Sequence, residues 1–122
     1  MNKKEIGLKN LAKIDGVAAE VVFDSLKDLA PDLNNLMLEF AFGTIYERGV
    51  LNFKQRELIT ITSLLTQGGC ENQLRVHIQA SLNVGLTQEE IIETFIHCVP
   101  YVGFPRVLNA IFVAKEIFTD RK

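Results

Sequence analysis

The chain has 122 residues, 48% of them hydrophobic, with no Trp and only three Pro. That is one domain's length with enough apolar material for a core. Thirteen basic against fifteen acidic residues leave a net charge of -2. No basic run tracks a phosphate backbone, which removes nucleic-acid binding. No stretch reaches the ~18–20 apolar residues of a membrane span. The N-terminal MNKKEIGLKNLAK has charges and a broken apolar pattern instead of a signal peptide's apolar core, so the default address is the cytoplasm. Two cysteines, Cys70 and Cys98, do not make a disulfide scaffold. A chain this short leaves much surface unburied as a monomer. With a positive mean hydropathy, that points to cover by further copies.

The predicted elements are all helical. Gly16 precedes a segment whose apolar residues Val17, Val21, Phe23, Leu26 and Leu29 recur mostly at three- and four-residue steps. Pro31 opens the next helix, which carries Leu33, Leu36, Met37, Phe40, Ala41 and Ile45 and stops near Gly49. Asn52 with Gln55 has the form of a capping box for a third helix, ending at Gly68 and Gly69. The fourth runs from about Cys70 to Val84, with Gly85 at its end. Thr87 and Glu90 form a second capping box and start the fifth, which Pro100 strains or ends. After Gly103 and Pro105 comes a last amphipathic helix, RVLNAIFVAKEIF. No strand alternation, repeat or linker interrupts the pattern. The expectation is one all-α domain over 1–122, a small bundle of about six helices.

Candidate site residues gather around the Gly68 and Gly69 turn. Residues three, four and seven apart share a helix face. Cys70, Gln73 and His77 therefore line one stripe. Two readings fit it: the wall of a pocket, or a satisfied core histidine beside a cysteine acting as a small hydrophobe. Glu57 on the preceding helix leads the apolar stripe of Ile61, Leu64 and Leu65, so its carboxylate requires a partner. Its place in a first turn is the structural alternative. Arg56 heads the polar stripe of Thr60, Ser63 and Gln67. Glu57 lies about as far before the turn as His77 lies after it, so the two approach at similar depth.

Cys70 sits at a helix N-terminus, which lowers a thiol pKa. Seven residues of helix put it ~10 Å from His77 along the axis, too far for a direct hydrogen bond. His97 lies near a helix C-terminus with Glu93 as a ready partner, and Arg75 pairs with Glu71 at i, i+4. Arg106 stands in the first turn of the last helix, where positive charge is disfavoured; an anion, an acidic partner or a subunit contact explains it.

The run RGVLNFKQRELITITSLLTQGGCENQLRVHIQASLNVGLTQEEIIETFIHCVPYVGFPRVLNAIFVA carries L-R-x-H, N-x-G-x-T-x-E-E and Y-x-G-F-P segments. Together they resemble the domain shared by γ-carboxymuconolactone decarboxylases and alkylhydroperoxidase D-like proteins, from roughly Gly43 to Lys115. The resemblance implies an all-α homo-oligomer (a dimer, trimer or hexamer, the last two favoured), often with sites near subunit contacts. Its peroxidase-related branch uses a C-x-x-C pair, a downstream His and an upstream Glu. Cys70 matches the first thiol, His77 the histidine, and Glu57 the glutamate with one residue of offset. Gln73 replaces the second thiol, which rules out a disulfide cycle within the motif.

The decarboxylase branch is the closer likeness. It implies a cofactor-free, metal-free reaction on a small anionic butenolide, with His77 delivering the proton and Glu57 orienting it. Gln73 then faces an oxyanion, and Arg106, Arg56 and His97 are the substrate-binding candidates. Thiol-dependent peroxidase activity through Cys70 and a non-enzymatic helical oligomer are the alternatives.

Overall fold

The computed structural model describes residues 1–121, the side chains of Val17 and Ala18 excepted, so the expectation that Val17 joins an apolar stripe lies outside the described residues. Among the described residues every regular element is a helix and none is a strand. None of these helices is long and apolar enough to cross a membrane. The chain divides into two compact units, Met1–Phe53 and Lys54–Lys122.

The first unit holds α1 (Lys3–Ile14), α2 (Val17–Leu26), α3 (Pro31–Leu36) and a π-helical stretch, Met37–Ile45. The sequence reading places no helix at α1. Its signal was nonetheless present: Asn2 accepts from the Glu5 backbone N–H at 2.8 Å, and its amide donates to the Glu5 carboxylate at 3.2 Å. This Asn cap with an acid three residues on is a start signature. As predicted, Pro31 stands in the first turn of α3.

The π stretch departs from the expected regular helix. The Tyr46 N–H reaches back five residues to the Ala41 carbonyl at 2.9 Å, and the Thr44 hydroxyl donates to the Glu39 carbonyl at 2.9 Å. It packs against α1 through two glycines. A Cβ on Gly7 would collide with the Leu38 carbonyl, and one on Gly43 with the Lys3 carbonyl. Buried Asn10 bonds across this contact to the Phe42 carbonyl at 2.7 Å and the Glu47 carboxylate at 2.9 Å.

The second unit contains nearly all of α4 (Phe53–Gln67), then α5 (Glu71–Asn83), α6 (Gln88–His97), the single turn α7 (Val99–Val102) and α8 (Phe104–Asp120). Ile61 and Leu65 of α4, Leu74 and Ile78 of α5, Ile91 and Phe95 of α6, and Val107, Ala110, Val113, Ala114 and Ile117 of α8 form one core. These are the three- and four-residue recurrences of the sequence. The Thr87–Glu90 capping box forms as predicted, with contacts of 3.0 and 2.9 Å. Pro100 falls in α7, after α6 has already stopped at His97.

The six expected helices thus become eight α-helices and one π stretch among the described residues. The additions are α1, the α3–π division and the α6–α7 break.

Candidate functional site

Glu57 and His77 come together. Glu57 is wholly buried at the head of the α4 stripe, one turn before Ile61. His77 Nδ1 lies 2.8 Å from Glu57 Oε1, and the imidazole is the exposed end of the pair, with 19% of its side chain accessible against 0% for the acid. A carboxylate only accepts, so with Glu57 ionised the proton of this contact sits on Nδ1. Nε2 is thereby left to exchange protons with whatever lies at the accessible edge.

The turn between these helices explains why α4 and α5 can present the two groups to one another. Gly68 and Gly69 both adopt left-handed backbone, with φ of +72° and +74°. Two such residues in succession are accessible to glycine and strained for others. Arg106 uses the missing side chain: its Nε lies only 2.7 Å from where a Gly68 Cβ would stand. Arg106, Cys70, Glu71, Leu74, Asn109 and Gly68 border a crevice of about 10 Å³, room for one water. The structure therefore brings Cys70 and Arg106 to one place. Cys70 is half-buried, with its thiol 3.8 Å from the Gln67 side-chain oxygen.

The remaining candidates are spread wider. Gln73 is exposed on α5, one turn before His77, and Arg56 is half-buried beside Glu57 in the sequence. His97 is exposed and borders a different groove, of about 460 Å³, with Leu58, Thr62, Glu93 and Cys98. Its ring stacks obliquely on Tyr101, with centroids 5.7 Å apart, and among the described residues it makes no ion pair with the expected Glu93. Arg75 is also corrected: it pairs with Glu116 on α8 at 3.1 Å, not with Glu71. Two helices packed side by side offered a better-placed acid than the same helix did.

The two thiols differ in character. Burial pushes the Cys98 thiol above its ordinary range, against a hydrogen bond to Thr62 that pulls it down. It belongs to the His97 groove, whereas Cys70 belongs to the Arg106 crevice, and the two spaces share no lining residue. Among the described residues no group of three or more His, Cys, Asp or Glu is arranged to hold a metal ion.

The model of the carboxymuconolactone decarboxylase family matches residues 31–116. This chain belongs to that family. Its match begins at Pro31, upstream of the motifs that start near Gly43. Among its relatives is the 4-carboxymuconolactone decarboxylase of Acinetobacter baylyi, 37% identical over 97 residues, which covers 80% of this chain and 72% of the relative. Nitrosuccinic acid decarboxylase npaB of Metarhizium robertsii is 30% identical, covering 87% of this chain and 76% of its own. A third family relative, an uncharacterised 15.0 kDa protein of Paracoccus denitrificans, is 32% identical, covering 79% of this chain and 72% of its own length. Membership agrees with the wider alkylhydroperoxidase D-like superfamily to which the motifs point.

Proposed function

We propose that this protein decarboxylates a small, multiply charged carboxylic acid that carries its own electron sink, with His77 as the general acid. The observation that supports this most is the 2.8 Å contact between accessible His77 and buried Glu57. Two relatives are named as decarboxylases, of 4-carboxymuconolactone and of nitrosuccinic acid. In both compounds the carbon that bears the departing carboxylate is left conjugated, once CO2 has gone, to a group that takes up electrons: a lactone carbonyl through an alkene, or a nitro group.

In the proposed reaction the C–C bond to the carboxylate breaks and CO2 departs. The bonding electrons delocalise onto the lactone or nitro oxygens. Imidazolium Nε2 of His77 then protonates a carbon of the delocalised anion, and water resupplies the proton. Glu57 holds the ring by its Nδ1, so that Nε2 is the nitrogen that delivers the proton of a general acid. The Gln73 amide, one turn away on α5, donates to the developing oxyanion. Arg106 and Arg56 are the cations proposed for a remaining carboxylate. The substrate supplies the electron sink, so the scheme invokes no cofactor. His97, in its own groove, has no part in it.

A thiol peroxidase reading rests on half-buried Cys70 at the start of α5. It lacks a second thiol at Gln73, and Cys98 borders another groove.

Purified protein is assayed for CO2 release from 4-carboxymuconolactone and from nitrosuccinic acid. Turnover of either is expected, falling ~10²–10⁴-fold in His77→Ala, the usual contribution of a general acid. No release from either compound, or an unimpaired His77→Ala, overturns the proposal.

A further inference from the structure

Helix α5, which carries His77, is tied on two opposite sides. On one side His77 meets Glu57 of α4 at 2.8 Å. On the other, Arg75, Gln79 and Asn83 stand four residues apart and form one row. Two residues of helix turn the chain by ~200°, so Arg75 and Gln79 lie nearly opposite His77. Arg75 donates through Nε and Nη2 to one oxygen of Glu116 on α8, at 3.2 and 3.1 Å, and through Nη1 to the Asn72 side-chain oxygen at 3.3 Å. Arg121, directly after α8, donates through Nη2 to the Asn83 side-chain oxygen at 2.8 Å and to the Gln79 carbonyl at 3.3 Å. A cation at the last turn of α5 is also favoured by the helix dipole. Between the two sides, buried Leu74 and Ile78 hold α5 on the core. Apolar contact is non-directional and leaves the roll of a helix loosely set. Hydrogen bonds are directional and can set it.

We propose that Arg75 and Arg121 are positioning residues for His77. From behind α5 they fix its roll about its own axis, and with it the meeting of Nδ1 with Glu57. The consequence for rate rests on the decarboxylase reading; the hold on the ring does not. With side chains reaching ~5–6 Å from the helix axis, a roll of about 10° carries the imidazole ~1 Å. Added to a 2.8 Å contact, that exceeds hydrogen-bond length. A displacement of ~1 Å at a reacting group costs on the order of 10²-fold in rate. Neither arginine touches the substrate in this scheme. The Arg75–Glu116 pair is 39% and 59% exposed, and exposed ion pairs add little to stability. Its loss therefore shows in geometry before it shows in folding.

The tautomer of His77 reads this geometry without turnover. A neutral imidazole held by Glu57 keeps its proton on Nδ1. Ring nitrogen NMR shifts, taken where the imidazole is neutral and assigned by their absence in His77→Ala, give the share of that form. CO2 release from 4-carboxymuconolactone and from nitrosuccinic acid gives kcat and KM. Both readouts are taken for the unmodified chain, for Arg75→Ala with Arg121→Ala, and for Arg75→Lys with Arg121→Lys, each with a thermal melt. In the double alanine variant the Nδ1–H share is expected to fall and kcat to drop roughly 10²-fold, with KM and the melt little changed. The lysine pair keeps a donor for each acceptor and is expected to recover both. If the double alanine variant does not fold, Arg75→Ala alone is read in the same way. A folded variant with an unchanged tautomer share overturns the positioning role, whatever its rate. So does a loss confined to KM, or one that the lysine pair does not recover. A tautomer shift in a chain that releases no CO2 from either compound overturns the decarboxylase reading instead, and supports the hold on the ring.

Discussion

Removing His77 destabilises the fold as well as the proposed chemistry. The 2.8 Å contact joins an imidazole to a fully buried carboxylate. A hydrogen bond to a charged group contributes ~1.5–3 kcal/mol. Water admitted through the accessible edge offsets part of that loss, so His77→Ala is expected to lower stability by about 2 kcal/mol. Glu57→Gln keeps the volume and one polar contact, and should lose about 1 kcal/mol, near an ordinary hydrogen bond. The double substitution Glu57→Leu with His77→Leu replaces both partners by apolar groups of similar size. Such replacements are often neutral or stabilising, so the double variant should be at least as stable as His77→Ala while inactive. Urea unfolding reads this directly: with slopes of ~1–3 kcal/mol/M, His77→Ala moves the midpoint down by roughly 1 M. A His77→Ala unfolding free energy within ~0.5 kcal/mol of the unmodified chain, the range of ordinary surface changes, refutes the buried-acid reasoning.

Four further outcomes follow from other parts of the chain. Gly7→Ala forces a Cβ onto the Leu38 carbonyl. Because backbone cannot step aside, it should cost at least the ~1–3 kcal/mol of core overpacking; unchanged amide-exchange protection of Leu11 and Ile14 contradicts this. Thr87→Ala removes the α6 cap and should lose ~0.5–2 kcal/mol. The Thr87 backbone and hydroxyl hold the Glu90 carboxyl below its ordinary range. Its contribution is therefore present above the unfolded value of ~4.3 and disappears as pH falls through the lower folded value. Acid titration of Glu90→Gln beside the unmodified chain checks the sign, and a gap that widens on acidification contradicts it. Iodoacetamide near pH 8 should modify Cys70 in the native protein and Cys98 only after unfolding, because burial raises the latter's thiol. Mass spectrometry showing equal labelling rates removes that distinction.

Much of the second unit was legible in the sequence because its signals are local. Glycine stops, the Thr87–Glu90 box and four-residue recurrence are properties of neighbouring residues. So was the oddity of Glu57: an acid leading Ile61 and Leu65 had to find a partner, and His77 lies at matching depth across a two-glycine turn. What stayed hidden depends on contacts between distant segments. The π stretch follows from backbone spacing around Gly7 and Gly43, which no residue pattern announces. The partner of Arg75 was set by where α8 lies. The separation of Cys70 from Cys98 depends on which groove each helix lines. Helix α1 is different: the Asn2 and Glu5 pair is a local start signal, followed by a broken apolar pattern that does not mark a buried face.

The proton that His77 is said to deliver can be followed directly. Chelator-treated protein is incubated in D2O with 4-carboxymuconolactone, and with nitrosuccinic acid, and the products are followed by NMR. With His77 as the general acid, CO2 is lost and deuterium enters on carbon, at the carbon that carried CO2 in the nitro acid and at an end of the dienolate in the lactone, and the rate is at least ~10²-fold lower in folded His77→Ala. Unchanged substrates, or deuterated product at the same rate without the imidazole, contradict it.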